Sequence, residues 1–278
     1  MKKLLIVDGS NLLFQMFYGM PARITGNGGR AIQGTLGFVG ALLRIIRMTS
    51  PTHVAVLFDC ETQNERTEML PEYKATRPNY SEMPPEETPF SQLPDVYAAL
   101  DELGISHTEV EGCETDDVIA AYALKQDGEV VISSFDSDFF QLISDTVTIL
   151  RYRGDNSVLC TPKYIREKLG ITPEQYADFK SMVGDTADNI KGVRGIGPKT
   201  AAELLGKFGD LSGILKNVES IEKPSIRRAI SESTERLILN YRLIRLTANA
   251  PLPFSDSEMK YSHDGRTTND ILRAINVI

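Results

Sequence analysis

The sequence predicts an α/β protein: a central, mostly parallel sheet with helices on both faces, followed by a helical region. Three observations predict it. Apolar runs recur at residues 4–7, 53–58 and 130–132, leading into Asp8, Asp59 and the D-x-D of Asp136 and Asp138. Near-continuous apolar strands of this kind are buried on both faces, as in parallel sheets, and helical segments alternate with them here. Beyond about residue 160 the pattern turns helical, with Pro162, Pro173 and Pro198 each suited to a first helical turn.

The first strand delivers Asp8. Residues 11–20 read as a short helix, apolar through Phe14, Phe17 and Tyr18. A glycine-rich loop at 25–30 follows, and no Gly-Lys-Ser/Thr comes after it, so it is not a phosphate-binding loop. Residues 32–48 form a long helix that packs Leu36, Val39, Leu43 and Ile46. The second strand ends at Asp59. Residues 61–90 are polar and weakly periodic, with Pro71, Pro78, Pro84, Pro85 and Pro89. A connection this long is functional or disordered. It reads either as a solvated mobile loop or as a contact for phosphates and a base through Tyr73, Lys74 and Arg77, with Arg66 upstream.

An amphipathic helix is predicted at 94–103. The acidic stretch 111–122 opens another, with Thr115 as cap and Val118, Ile119, Tyr122 and Ala123 as its apolar face. The D-x-D strand runs into a helix at 139–143, and 147–152 and 157–159 read as edge strands. Helices are expected at 162–169, 173–183, 198–208 and 225–246. The tail after Ala250 is weakly periodic, with a short helix from Asn269. No internal repeat or low-complexity tract is present.

With 41% hydrophobic and 24% charged residues, the 278-residue chain is an ordinary globular protein. No apolar run approaches the roughly 20 residues of a membrane helix, and no signal peptide follows Met1. Three cysteines, Cys60, Cys113 and Cys160, are an odd number, which favours a reducing, cytoplasmic setting without disulfides. They read as small buried hydrophobes. His53, His107 and His263 are too scattered for a zinc site. The net charge of −8 argues against nucleic acid unless basic residues are grouped, and Lys191, Arg194, Lys199 and Lys207 form such a group.

The acids carry the chemistry. Glu114, Asp116 and Asp117 crowd one helix start, where the helix dipole accounts for one or two of them. Three raise one another's pKa unless a cation sits between them. Strand ends bring Asp8, Asp59, Asp136 and Asp138 to the same sheet edge, where ligands bind in such folds. Carboxylate oxygens suit magnesium or manganese. Asp185 and Asp188 add two further acids just before Gly195, Ile196, Gly197, Pro198, Lys199 and Thr200. That hairpin enters a helix whose free amides suit a DNA phosphate.

Four blocks together resemble the 5′-nuclease family, which includes the 5′-3′ exonuclease domain of bacterial DNA polymerase I, phage 5′ nucleases and flap endonucleases. They are residues 7–11, Tyr73 and Lys74 with Arg77 and Pro78, residues 114–117 with 136–138, and residues 184–200. The resemblance runs from residue 4 to about 246 and implies a PIN-like nuclease fold. By it, Asp8, Asp59, Glu114 and Asp116 form a first metal cluster, and Asp117, Asp136, Asp138, Asp185 and Asp188 a second cluster and its surroundings. Two magnesium ions are implied, with manganese as substitute. Residues 61–90 become a helical arch over a threaded 5′ strand, with Lys74 and Arg77 over the scissile phosphate. The hairpin, with Gly195, Ile196, Gly197, Pro198, Lys199 and Thr200, becomes a helix-three-turn-helix gripping duplex DNA. In relatives its backbone carbonyls hold potassium, at positions matching Met182, Val183, Lys191, Val193 and Ile196.

The implied organisation is an α/β nuclease domain at 1–160 with its arch at about 61–90, a helical DNA-binding region at 161–250 with the helix-hairpin-helix at about 181–208, and a tail at 251–278. No polymerase region follows, so a stand-alone bacterial, monomeric member is expected, with a DNA polymerase or ligase as partner. Lys74, Arg77, Asp116 and Asp138 are the expected catalytic residues, acting by direct attack of water. Two alternatives stand beside this reading. One is a ribonuclease of the related PIN class, against which Asp185, Asp188 and the arch argue. The other is a branched-DNA binding protein with a vestigial site, against which the nine retained acids argue.

Overall fold

The computed structural model describes residues 2–20, 22–60, 65–75, 78 and 80–278. In chain order, the first half comprises β1 (Lys3–Asp8), α1 (Gly9–Gly19), α2 (Gln33–Thr49), β2 (His53–Asp59), α3 (Glu65–Met69), α4 (Leu93–Leu103), β3 (Ser106–Val110), α5 (Thr115–Lys125), β4 (Glu129–Ser133), β5 (Val147–Arg151) and β6 (Val158–Cys160). The second half comprises α6 (Pro162–Leu169), α7 (Tyr176–Val183), β7 (Gly184–Asp185), β8 (Ile190–Lys191), α8 (Pro198–Phe208), α9 (Leu211–Lys216), α10 (Pro224–Glu232), α11 (Thr234–Ile244) and α12 (Thr268–Ala274).

Among the described residues six strands form one sheet, in the order β3-β2-β1-β4-β5-β6. Every pairing is parallel except β5 with β6. Alternate side chains along each strand point to opposite faces, and both faces are apolar. Leu4, Ile6, Ala55, Leu57, Val130 and Ile132 pack with α5 and run into the helical half, through Tyr176, Met182, Leu205 and Leu237. Leu5, Val7, Val54, Val56, Phe58 and Val131 pack on the other face with residues of α1, α2, α4 and α12. The first core therefore continues from the sheet into the C-terminal helices without a break.

Several elements differ from the expectation. β3 was not foreseen, because Ser106, His107, Thr108 and Glu109 are polar; as an edge strand it pairs on one side only, with β2. β5 is interior, not an edge, since β6 covers it. Residues 138–142 form a 3-10 turn. The long helix expected at 225–246 is two helices, broken at Ser233, whose φ of −110° and ψ of 10° are not helical. The weakly periodic tail is anchored: Val54 N–H donates to Met259 O at 2.8 Å, Tyr261 N–H donates to Thr52 O at 3.0 Å, and Ile271, Leu272 and Val277 are fully buried.

The hairpin β7–β8 projects from the end of α7, pairing Gly184 with Lys191 and Asp185 with Ile190. Its return is held by Val193 N–H on Met182 O at 2.8 Å. The buried Asn240 of α11 donates to Ser181 O and to Lys191 O, both at 2.9 Å, and so clamps α7 to the hairpin. Gly192 lies where no side chain fits: a Cβ there would sit 2.2 Å from Val183 O and 2.7 Å from Met182 O. The obstruction is backbone and has no rotamer to yield. Gly192→Ala is therefore expected to destabilise the protein by about 1–3 kcal/mol, as overpacking does, and to displace the hairpin. Chemical denaturation measures this, and an unchanged midpoint counts against the close approach.

Candidate metal centre

The sheet edge is built from backbone outward. Asp8, the last residue of β1, is also the N-cap of α1: Asn11 N–H donates to its Oδ1 at 3.0 Å, and Ser134 Oγ donates to its Oδ2 at 2.8 Å. Burial, with Asp59 and Asp136 adding to it, pushes the Asp8 carboxyl up to about 7. After β4 the chain coils tightly. Ser134 Oγ accepts from Asp136 N–H at 3.0 Å, Asp136 Oδ1 from Asp138 N–H at 2.8 Å, and Asn11 Oδ1 from Phe135 N–H at 3.1 Å. Asp59 closes β2, its N–H donating to Ser10 Oγ at 2.8 Å. The serines and Asn11 thus orient the loops that carry the acids.

The start of α5 corrects one expectation. Glu114, not Thr115, is the N-cap residue, and no side chain caps the helix. Thr115 is buried and its hydroxyl donates to Phe58 O at 3.1 Å, which ties the helix start to the end of β2 and leaves that hydroxyl no capping role. The tie delivers Asp116 to the edge. Burial, then Asp136 and Asp59, hold the Asp116 carboxyl well above the usual range, against the opposing pull of Lys74. Asp59 and Asp136 each act on both Asp8 and Asp116, which places these four acids at one edge. Asp117 takes a different place. Arg66 Nη2 lies 3.1 Å from both of its oxygens, and Thr247 N–H donates to Oδ1 at 2.9 Å. Burial still raises the Asp117 carboxyl, with Arg66 opposing. Asp117, expected in the second cluster or its surroundings, pairs with Arg66 and lies outside the group that Asp138, Asp185 and Asp188 form.

Beside them lies a second group: one carboxylate oxygen each from Asp138, Asp185 and Asp188, all within 4.8 Å of one another. Lys180 of α7 enters it, its ammonium pairing with Asp138 Oδ1 and lying 2.5 Å from Asp185 Oδ2. Burial, with Asp136 and Asp188 adding to it, pushes the Asp138 carboxyl up to about 7 despite the ammonium. Burial would also raise Asp185, but Lys180 and backbone amides hold it below the usual range. Lys180 itself is held protonated: Asp138, Tyr176 and Asp185 outweigh its burial. Dense, hard oxygen donors of this kind, two buried and one half-buried, fit a divalent cation. Lys180 and Asn240 went unrecognised from sequence. The signal for Lys180 was one lysine inside a helix that buries Tyr176, Ala177, Phe179, Ser181 and Met182.

The arch residues are closer in than expected. Arg66 is 6% exposed, committed to Asp117 and 3.9 Å from Glu114. Its guanidinium is thus turned toward the half-buried carboxylates of Asp117 and Glu114. Tyr73, expected to stack on a base, is 5% exposed; it packs with Leu70, Ala177, Ile190, Leu243 and Ile244, and its hydroxyl is 3.4 Å from Asp188 Oδ2. Lys74 has a left-handed φ of 58°, and its Nζ donates to Glu114 Oε2 at 2.7 Å. Arg77 lies outside the described residues. On the hairpin, Arg194, Gly195, Gly197, Pro198 and Lys199 are exposed, Thr200 is half-buried and Ile196 is buried. Gly195 takes a φ of 86°, and Pro198 occupies the first turn of α8. Of the carbonyls proposed for potassium, Met182 O, Lys191 O and Val193 O each already accept one hydrogen bond.

Comparison with known proteins identifies relatives over nearly the whole chain. The family model "5′-3′ exonuclease, N-terminal resolvase-like domain" matches residues 3–170, and "5′-3′ exonuclease, C-terminal SAM fold" matches residues 171–266. Thermostable DNA polymerase I of Thermus thermophilus is 37% identical over 253 residues, covering 90% of this chain and 29% of that protein. DNA polymerase I of Bacillus subtilis is 33% identical over 265 residues, covering 94% of this chain and 29% of the relative. The chain thus spans less than a third of the length of these curated relatives. The T5 D15 protein co-crystallised with metal ions superposes with a TM-score of 0.70 at 26% identity, over 87% of this chain and 89% of that one. The catalytic core of Rad2 in complex with DNA substrate, at 17% identity, a TM-score of 0.58 and coverage of 99% and 93%, shares the fold.

The raised carboxyls set a pH dependence. Asp8 and Asp138 ionise near 3.8 in the unfolded chain and near 7 when folded. Between those values the folded state binds more protons, so its stability falls as pH rises. In EDTA the melting temperature is expected to drop between about pH 5 and about pH 8, by the equivalent of a few kcal/mol. Magnesium should restore it at the upper end. A flat profile in EDTA, or no response to magnesium, refutes the crowded-acid assignment.

Proposed function

The chain belongs to the 5′-3′ exonuclease family, and from that premise we propose that it is a metal-dependent 5′-3′ exonuclease and flap endonuclease acting on branched DNA. One observation carries this reading: carboxylates from the end of β1, the turn after β4, the start of α5 and the β7–β8 hairpin converge at the carboxyl edge of a parallel sheet, and the turn from β8 into α8 exposes Arg194 and Lys199. The donors are all oxygen, which favours magnesium, with manganese as substitute. Asp8, Asp59, Asp116 and Asp136 would hold one ion, and Asp138, Asp185 and Asp188 another. Such ions supply an activated water and relief of charge on the leaving oxygen of a phosphodiester.

The chain's own residues do the rest. Ser134 and Asn11 keep the acid-bearing loops in register. Lys74, bonded to Glu114, would neutralise charge on a phosphate at the cluster, with Arg77 as its partner in sequence. The free amides at the start of α8 and the Lys199 ammonium grip the duplex backbone. The remaining lone pairs of the carbonyls at Met182, Val183, Lys191, Val193 and Ile196 suit potassium. We take the protein to act as a monomer in the cytoplasm, beside a DNA polymerase or ligase. No described helix is long and apolar enough to cross a membrane.

Asp116→Asn is expected to abolish cleavage of a 5′ flap at saturating magnesium while leaving flap binding in EDTA largely intact, because the carboxylate holds metal and the hairpin holds DNA. Wild-type turnover by the variant would sink the metal assignment; cleavage of a matched RNA flap in preference to DNA would move the protein to the ribonuclease reading. Lys199→Ala should weaken duplex binding and flatten its dependence on salt by about one released counterion, since a lost phosphate contact releases fewer ions. Affinity measured across a salt series decides, and an unchanged slope means that Lys199 does not touch the backbone.

A further inference from the structure

We propose that Lys180 is a resident cation at the second metal position: its ammonium fills the gap between Asp138 and Asp185, so that a divalent ion binds there only by displacing it. The inference rests on the metal-dependent reading above. Its support is geometric. The Lys180 Nζ touches two of the three carboxylates whose oxygens lie within 4.8 Å of one another. An octahedral ion with metal–oxygen bonds of about 2.1 Å needs those same oxygens close together around one centre. An ammonium and a divalent ion cannot share that centre, because both are cations and each needs the same lone pairs.

The lysine is also built in. It lies on a regular turn of α7 at 8% exposure, flanked by the buried Phe179 and Ser181. Its stem is therefore fixed and its head has a short reach. Two alternative partners lie within that reach: Ser137 Oγ, 3.4 Å away, and the Tyr176 ring, with its centroid at 5.8 Å. A displaced ammonium can keep a hydroxyl and an aromatic face without leaving the protein. Lys180 thus stabilises the acid group while no ion is present, since buried carboxylates without a counter-charge are strongly destabilising. In doing so it weakens the site for the ion. The first group is built differently, because the cation acting on Asp116 is Lys74, which comes from a left-handed loop position and pairs with Glu114.

The test is manganese binding to the metal-stripped, DNA-free protein, followed by the paramagnetic resonance signal of free manganese and by calorimetry. Wild type is expected to bind one ion tightly and a second more weakly, and Lys180→Met to bind the second at least about tenfold more tightly than wild type does. Manganese should also raise the melting temperature of Lys180→Met by more than that of wild type, because the ion takes over from the lost ammonium. Two equally tight ions on wild type overturn the inference, and that measurement decides alone if Lys180→Met does not fold. An unchanged or weakened second site in Lys180→Met overturns it as well. Failure of the underlying reading looks different: wild type then binds no manganese, or binds it undiminished after Asp8→Asn and Asp138→Asn are combined, and both proposals fall.

Discussion

Carboxylates drawn out of water and packed against one another are costly, and the site is built to offset that cost. Asp8, Asp116 and Asp138 are all raised in pKa, chiefly by burial and further by their acidic neighbours. The fold offsets the charge from several directions. Asp8 accepts an amide at the start of α1, where the helix dipole is positive. Arg66 on α3 takes Asp117, Lys74 takes Glu114, and Lys180 on α7 takes Asp138 and Asp185. Three cations from three separate elements thus converge on one edge, and each pins its own element to the sheet.

Topology explains why the acids meet there. The chain builds outward from β1 through β2 to β3 on one side, then returns to place β4 and β5 on the other. The reversal falls between β1 and β4, and a crevice opens outside the carboxyl ends at such a point. Asp8 stands on one side of it, and Asp136 and Asp138 on the other. Ser134 spans it by donating to Asp8, and Asn11 by accepting from Phe135. The polar residues that bridge the crevice are as much a part of the site as the carboxylates, because they fix which way the loops turn.

Much of this was legible in the sequence because the relevant signals are local and strong. Buried parallel strands leave apolar runs, and acids at their ends are visible whatever the tertiary detail. What escaped was contextual. β3 is polar because an edge strand need not be apolar, so His107 and Glu109 hid it. Thr115 has the chemistry of a cap, but Phe58 O competes for its hydroxyl, and only the packing of α5 on β2 settles that contest. Arg66 and Tyr73 carry groups that suit DNA, yet burial commits them to Asp117 and to a small apolar cluster. Lys180 hid for the opposite reason: a single lysine in an apolar helix resembles a solvated residue until Asp138, 42 residues away in sequence, joins the nearby Asp185 against it.

Residues 72–74 and the second acid group form one mechanical unit. Lys74 N–H donates to Asp188 O at 3.1 Å, the Tyr73 hydroxyl lies 3.4 Å from Asp188 Oδ2, and Asn189 Nδ2 donates to Glu72 O at 2.9 Å. Lys74 and Asn189 both adopt left-handed backbone, with φ of 58° and 57°, a conformation that persists in non-glycine residues only where surrounding contacts enforce it. These three ties are such contacts. The segment that carries the Lys74 ammonium therefore cannot shift far without moving the turn that carries Asp188. Asp188 in turn sets the spacing of the oxygens shared with Asp138 and Asp185. Any displacement of the Lys74 backbone is therefore passed to the turn that carries Asp188, and through it to the group that Asp188 forms with Asp138 and Asp185.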